Sequence, residues 1–180
     1  MKMTSSEFLE KVLKKYEGAF DIEIPHTYHD RKFSAYARFA STSEKYVLVS
    51  SAKLWKTESF EHVFFSENAD ITDEFLNDMH ELMSSYMEPE LVRGGKKYPE
   101  EDHMMTFLSS VVICKNRVTP EMKKRIKSFN FERGYLLSFR GRCEAHLIVV
   151  DLEDECIYTN RYASYMQKMY RNIFNEIDAD

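Results

Sequence analysis

Residues 119–160 read TPEMKKRIKSFNFERGYLLSFRGRCEAHLIVVDLEDECIYTN, and the order of signals in this stretch decides the fold class. Thr119-Pro120-Glu121 is a helix start, with a hydroxyl at the cap, proline in the first turn and an acid beside it. Met122, Ile126 and Phe129 then recur on one helical face. The pattern turns strand-like over Phe131–Phe139, Ala145–Asp151 and Cys156–Thr159, with turns at Gly141 and Glu153-Asp154. Asn160 is placed to cap a last helix whose stripe is Tyr162, Tyr165, Met166, Met169, Tyr170, Ile173, Phe174 and Ile177.

The same signals appear upstream. Thr4 and Glu7 form a capping box ahead of Phe8, Leu9, Val12, Leu13 and Tyr16, and Gly18 is placed to end that helix. Phe33–Ala40, Tyr46–Ser51 and Phe60–Phe65 are expected strands. Asp70 is the expected cap of a helix carrying Ile71, Phe75, Met79, Leu82, Met83 and Tyr86 and running to about Pro89. Residues 93–102 form a loop, and Thr106–Ile113 is one more strand. The predicted order is α-βββ-α-β-α-βββ-α. It describes a single α+β domain over residues 1–180, with antiparallel sheet and helices packed on one face. The recurrence of a helix–three strands–helix unit leaves duplication open.

Composition narrows the class. Hydrophobic residues at 43% and charged residues at 31% argue against disorder, and no apolar run approaches the roughly 20 residues of a bilayer span. Glu7 and Glu10 interrupt any secretory signal, and three cysteines without metal-ligand spacing suggest reduced thiols in the cytoplasm. Five glycines are too few and too scattered for a phosphate-cradling loop, and no cofactor is expected. Most aromatic residues and methionines fall on apolar stripes and read as core; Trp55, between Lys53 and Lys56, is a candidate partner anchor.

Charge is unevenly spread. Residues 57–92 hold ten acids and no lysine or arginine, whereas 115–143 hold nine basic residues and two acids. Glu74, Asp78, Glu81 and Glu88 lie opposite the apolar stripe of the second long helix, where like charges repel. Solvation, internal pairing with 115–143, or a protein partner with a basic surface would each account for them. Lys123, Lys124, Lys127, Arg133, Arg140 and Arg142, interleaved with Phe129, Phe131 and Tyr135, suit RNA or DNA contact.

Candidate catalytic residues are Glu58, Glu61, His103 and Asp151. Strand alternation puts Glu58 and His62 on one side and Glu61 on the other. A metal-dependent nuclease of restriction-endonuclease-like type would need an acid-x-Lys pair; Asp30-Arg31-Lys32 and Glu121-Met122-Lys123 match at the frequency of chance. Mg²⁺ or Mn²⁺ enters only with that alternative. His26, His29 and Asp30 lack a visible further ligand for zinc, so no metal site is expected.

His103–Thr106, Tyr135–Gly141, Val149-Val150-Asp151-Leu152, Thr159-Asn160-Arg161, and Glu58 and Glu61 after Trp55 resemble an uncharacterised prokaryotic family of small α+β proteins, a domain of unknown function. The likeness covers most of residues 30–170. It implies one intracellular domain and carries no activity. Small, acidic, glycine-poor prokaryotic proteins also include anti-CRISPR inhibitors, a similarity of type without a shared motif. The expected function is therefore a cytoplasmic binding protein that inhibits or regulates a nucleic-acid-handling complex, CRISPR effectors included. The alternatives are the nuclease and a structural or homodimeric protein without a nucleic-acid link.

Overall fold

Strands β4 (Ala35–Lys45) and β5 (Trp55–Asn68) form a long antiparallel pair, with Arg38 opposite His62 and Tyr36 opposite Phe64. The computed structural model describes residues 2–45 and 55–176, and the side chains of 41–45 and 55–57 are not described. The expected strand Tyr46–Ser51 and the Trp55 side chain therefore lie outside the described residues.

The first helix, α1 (Ser5–Tyr16), matches its sequence signals. Thr4 N–H donates to Glu7 Oε2 (2.7 Å), Glu7 N–H donates to Thr4 Oγ1 (3.2 Å), and Phe8, Leu9, Val12, Leu13 and Tyr16 are buried. Three short strands, β1 (Asp21–Glu23), β2 (His26–Tyr28) and β3 (Arg31–Phe33), come before β4. After β5 comes α2 (Asp73–Leu82). Its cap is Thr72 rather than Asp70, since Thr72 Oγ1 accepts from Phe75 N–H (3.1 Å). The chain then continues as a π-helical segment, Met83–Val92, that contains Pro89. β6 (His103–Cys114), α3 (Pro120–Ser128), β7 (Glu132–Gly134), β8 (Arg142–Asp151) and β9 (Cys156–Thr159) follow. A 3₁₀ turn, Ser164–Met166, then leads into α4 (Gln167–Ile173).

The α+β class holds, but the sheet is mixed. Its order is β1-β4-β5-β6-β8-β7, with β9 also on β8, and the pairs β5–β6 and β6–β8 are parallel. Parallel neighbours need a crossover. α2 with its π-helical extension supplies one, and α3 with β7 the other. Helices cover both faces rather than one. Leu76, Met79, Met83, Met87, Met122 and Ile126 pack against Phe64, Leu108, Val112 and Leu147, while α1 and α4 pack against Val63, Phe65, Val111 and Ile148. The cause is in the central strands: Val111-Val112-Ile113 and Leu147-Ile148-Val149-Val150 are apolar on both sides and need two covering layers.

The two helix–strands–helix halves do not share a topology. β7 pairs with Arg142–Glu144 and β9 with Ile148–Asp151, and β6 holds the opposite edge of β8 along nearly its whole length. The expected strand Phe131–Phe139 shrinks to three residues because Leu136, Leu137 and Ser138 take positive φ and turn the chain. Asn160 does meet Ala163 N–H (3.3 Å), but its amide mainly binds the β8 backbone, accepting from Leu147 N–H and donating to Ala145 O. The 3₁₀ turn shifts the phase of the last stripe and leaves Tyr165 66% exposed. No helix among the described residues is long and apolar enough to cross a membrane.

Candidate functional site

The four candidate catalytic residues do not converge. Asp151 ends β8, fully buried, and its carboxylate accepts from Val118 N–H (2.9 Å) and Asp154 N–H (2.9 Å). It ties the entry to α3 to the β8–β9 turn, which is a structural task. Glu61 faces the α1/α4 side, where Ser109 Oγ donates to it (2.9 Å). Burial raises its pKa, and the Ser109 hydrogen bond opposes that only in part. On the same face His146 is wholly buried with Nε2 3.2 Å from Glu144 Oε1, and its Nδ1 has no hydrogen-bond partner among the described residues. Glu58 and His103 do meet, on the opposite face, as register partners. Among the described residues no group of three His, Cys, Asp or Glu side chains is placed to hold a metal ion. All three cysteines are free; burial pushes the Cys114 thiol up to about 12 and Cys143 to about 11, well away from thiolate chemistry at neutral pH.

Two of the four acids expected on the stripe, Asp78 and Glu88, are engaged within the molecule. Asp78 lies 3.7 Å from Arg31, and Asp73, at the start of α2 and off the stripe, is 2.5 Å from Arg125. Glu88 is not on the stripe at all: it is 0% exposed, with Arg93 Nε at 2.7 Å, Arg133 at 3.1 Å and the Tyr135 hydroxyl at 2.7 Å. Burial alone would raise its pKa, but these donors hold it below the ordinary carboxylate range. The i→i+5 winding after Leu82 re-phases the helix and turns Glu88 inward. Glu74 and Glu81 stay exposed. The basic segment is depleted in the same way, with Arg133 on Glu88, Arg140 on Glu101 (3.2 Å) and Arg142 on Glu144 (3.3 Å).

Three cations come together on one cleft. Lys123 and Lys127, one turn apart on α3, face Arg161 across a cleft of about 340 Å³, completed by Tyr158, Thr159, Asn160, Ser164 and Gln167. Among the described residues no carboxylate lines it. Lys123 Nζ sits 4.7 Å from the Tyr158 ring centroid, and the Tyr158 hydroxyl raises the lysine's pKa. Lys124 is exposed beside them.

A second cleft, of about 380 Å³, opens on the other end of that sheet face. Tyr36, Arg38, Glu58, Phe60, His62 and His103 line it from the sheet, Glu90–Gly94 from the end of the π-helical segment, and Glu100 from the loop. A β-bulge at Met104 of β6, facing the Glu58–Ser59 step of β5, re-aims His103 onto this face. His103 is saturated there: Nδ1–H donates to Arg140 O (2.8 Å) and Nε2 faces the Thr106 hydroxyl (2.8 Å), so that hydroxyl donates to it. Burial lowers its pKa, against the opposing pull of the Arg140 carbonyl and of the Asp102 and Glu58 charges. His62 Nδ1 lies 2.6 Å from the Tyr36 hydroxyl, and burial, then Arg38, push the imidazole down to about 4. Tyr36 is pushed up to about 12, chiefly by burial.

A family model for a domain of unknown function, DUF8052, matches residues 4–172, which is nearly the whole chain. The chain belongs to the DUF8052 family. No curated protein and no solved structure matches it. The basic cleft and the Arg38–His62 cleft of this DUF8052 domain are accompanied by a third, of about 500 Å³, lined by His29, Asp30, Arg31, Glu81, Leu82 and Tyr86. The i,i+4 spacing of Lys123 and Lys127 was visible in sequence; Arg161 was not, since only the fold brings it across. Tyr36, Arg38 and His62 were missed as a group because no local signal links β4 to β5. Their only signal is period-2 alternation on two strands of a hairpin.

Proposed function

We propose that this DUF8052 domain is a binding protein of a nucleic-acid-handling system and that it holds an RNA or DNA strand against the cleft formed by α3, β9 and Arg161. The observation that carries this reading is the convergence of Lys123, Lys127 and Arg161 on a cleft without a carboxylate, in a chain whose other candidate arginines are spent on internal ion pairs. Lysine and arginine gain affinity for phosphates by displacing condensed counterions, which needs exposed and unpaired cations. Binding rather than cleavage is supported by the dispersal of Glu58, Glu61 and Asp151 over two faces and one far strand end. The acidic helix contributes less, because Asp73 and Asp78 already face Arg125 and Arg31.

The test is fluorescence anisotropy with labelled single-stranded RNA and DNA across a salt series. Binding is expected to weaken with salt. Lys123→Glu with Lys127→Glu is expected to cost at least about tenfold and to flatten the logarithmic salt slope by roughly 0.7 for each lost phosphate contact. Strands incubated with Mg²⁺ or Mn²⁺ are expected to stay intact. Absence of salt-dependent binding, or binding that the double reversal leaves unchanged, would overturn the reading.

A further inference from the structure

The second cleft contains donors that the fold itself leaves unused. Arg38 and His62 are direct cross-strand partners on β4 and β5 and point to the same face, a geometry that holds Cβ atoms about 4.5–5.5 Å apart. Arg38 is exposed and has no ion pair among the described residues. The Tyr36 hydroxyl is 2.6 Å from His62 Nδ1 and has no other acceptor among the described residues, so it donates to that nitrogen. This places the imidazole proton on Nε2, which has no partner of its own among the described residues. The tautomer is braced from behind by His26, stacked on the Tyr36 ring at 4.4 Å and bonded through Nδ1 to Glu23 (2.6 Å). Phe60, Leu91 and Val92 supply apolar lining.

The other polar groups of the cleft are occupied. Arg93 is bound to Glu88 and to Lys96 O, Glu90 to Tyr28 and His29, and Glu100 to Lys96. Glu58 has a partner as well. These carboxylates still set a negative background that penalises each further negative charge on a ligand. One guanidinium and one neutral N–H donor therefore suit a single carboxylate better than a phosphate dianion.

We propose that this cleft is a binding site for a small monocarboxylic acid with an apolar body, its carboxylate held between the Arg38 guanidinium and His62 Nε2–H. The volume lies within the range of small-ligand pockets, and both a π-helical segment and a β-bulge shape its wall, features that recur at functional sites. The site is separate from the basic cleft and does not depend on its role.

The experiment is NMR titration of the ¹⁵N-labelled protein with phenylacetate, phenyl phosphate and the neutral phenylacetamide. Phenylacetate is expected to bind saturably, on the order of 1 mM or tighter as befits a probe of this size, and to shift the Arg38 and His62 side-chain signals. Phenyl phosphate is expected to bind several-fold more weakly, and the amide not to saturate. Arg38→Gln lies on an exposed side chain and is expected to keep the fold, checked by its thermal midpoint, while weakening phenylacetate at least about tenfold. The Lys123→Glu, Lys127→Glu protein is expected to bind phenylacetate as the parent does, which separates this site from the proposed strand contact. No saturable shift, shifts confined to the basic cleft, phosphate bound more tightly than carboxylate, or an unchanged affinity in Arg38→Gln would each overturn the proposal.

Discussion

Glu61 and His62 are neighbours on β5 that face opposite sides of the sheet, and burial moves their proton affinities in opposite directions. The His62 pKa falls from 6.5 to about 4, so between those values the unfolded chain binds more protons than the native one. Stability from this group is complete above the unfolded value and is lost as pH drops through the window, by about 3 kcal/mol in all. Glu61 acts in the opposite sense. Its raised folded pKa favours the native state at low pH, and that gain disappears as pH rises through the folded value. His103 and His146, both lowered by burial, share the sign of His62. The measurement is therefore a difference: urea unfolding of parent and His62→Gln at a series of pH values. The variant is expected to lose less stability between neutral pH and pH 4, by a margin of the order given above. Parallel curves would place the titration elsewhere.

At the scale of elements, the bulge at Met104 depends on Gly141. A Cβ added there would sit 2.2 Å from Met104 O and 2.8 Å from His103 O, at a φ of +71. Both contacts are to backbone, so neither can yield by a side-chain rotation. Gly141→Ala is expected to destabilise by more than about 1 kcal/mol and to disturb the wall of the second cleft, read by chemical denaturation and by the His103 ring signals. This dependence also explains what was legible in the amino-acid string. α1 could be read residue by residue, because Thr4, Glu7 and the stripe ending at Tyr16 act within four positions of one another. β1, β2 and β3 could not, since three residues leave no alternation to detect. The two-sided burial of β6 and β8 was present in their unbroken apolar runs, but a run alone does not say what covers each side. The loss of Glu88 from the acidic stripe follows from a change of winding inside one continuous helical stretch, for which Pro89 is the only local hint. Arg38 beside His62 exists only through hairpin register, a relation between distant positions.

For the molecule as a whole, α1 and α4 meet on one sheet face. The Tyr16 and Tyr170 hydroxyls lie 2.7 Å apart in the interior, and Phe8 packs on Phe174 with ring centroids at 5.0 Å. Burial raises the pKa of both phenols, so each remains protonated and the pair holds as a neutral hydrogen bond. Removing one hydroxyl leaves the other buried without its partner, whereas removing both leaves two apolar rings in contact. Tyr16→Phe and Tyr170→Phe are each expected to cost about 1–2 kcal/mol, and the double variant less than their sum, by denaturant unfolding. Strict additivity would show that the two hydroxyls do not act as a pair. The meeting of these helices also has a consequence for biosynthesis. α1 is synthesised before the rest of this fold, yet the surface against which Phe8 and Val12 shelter is finished only when Tyr170 and Ile173 arrive. Until α4 is made, a greasy ridge stays uncovered on the nascent chain, a natural foothold for chaperones.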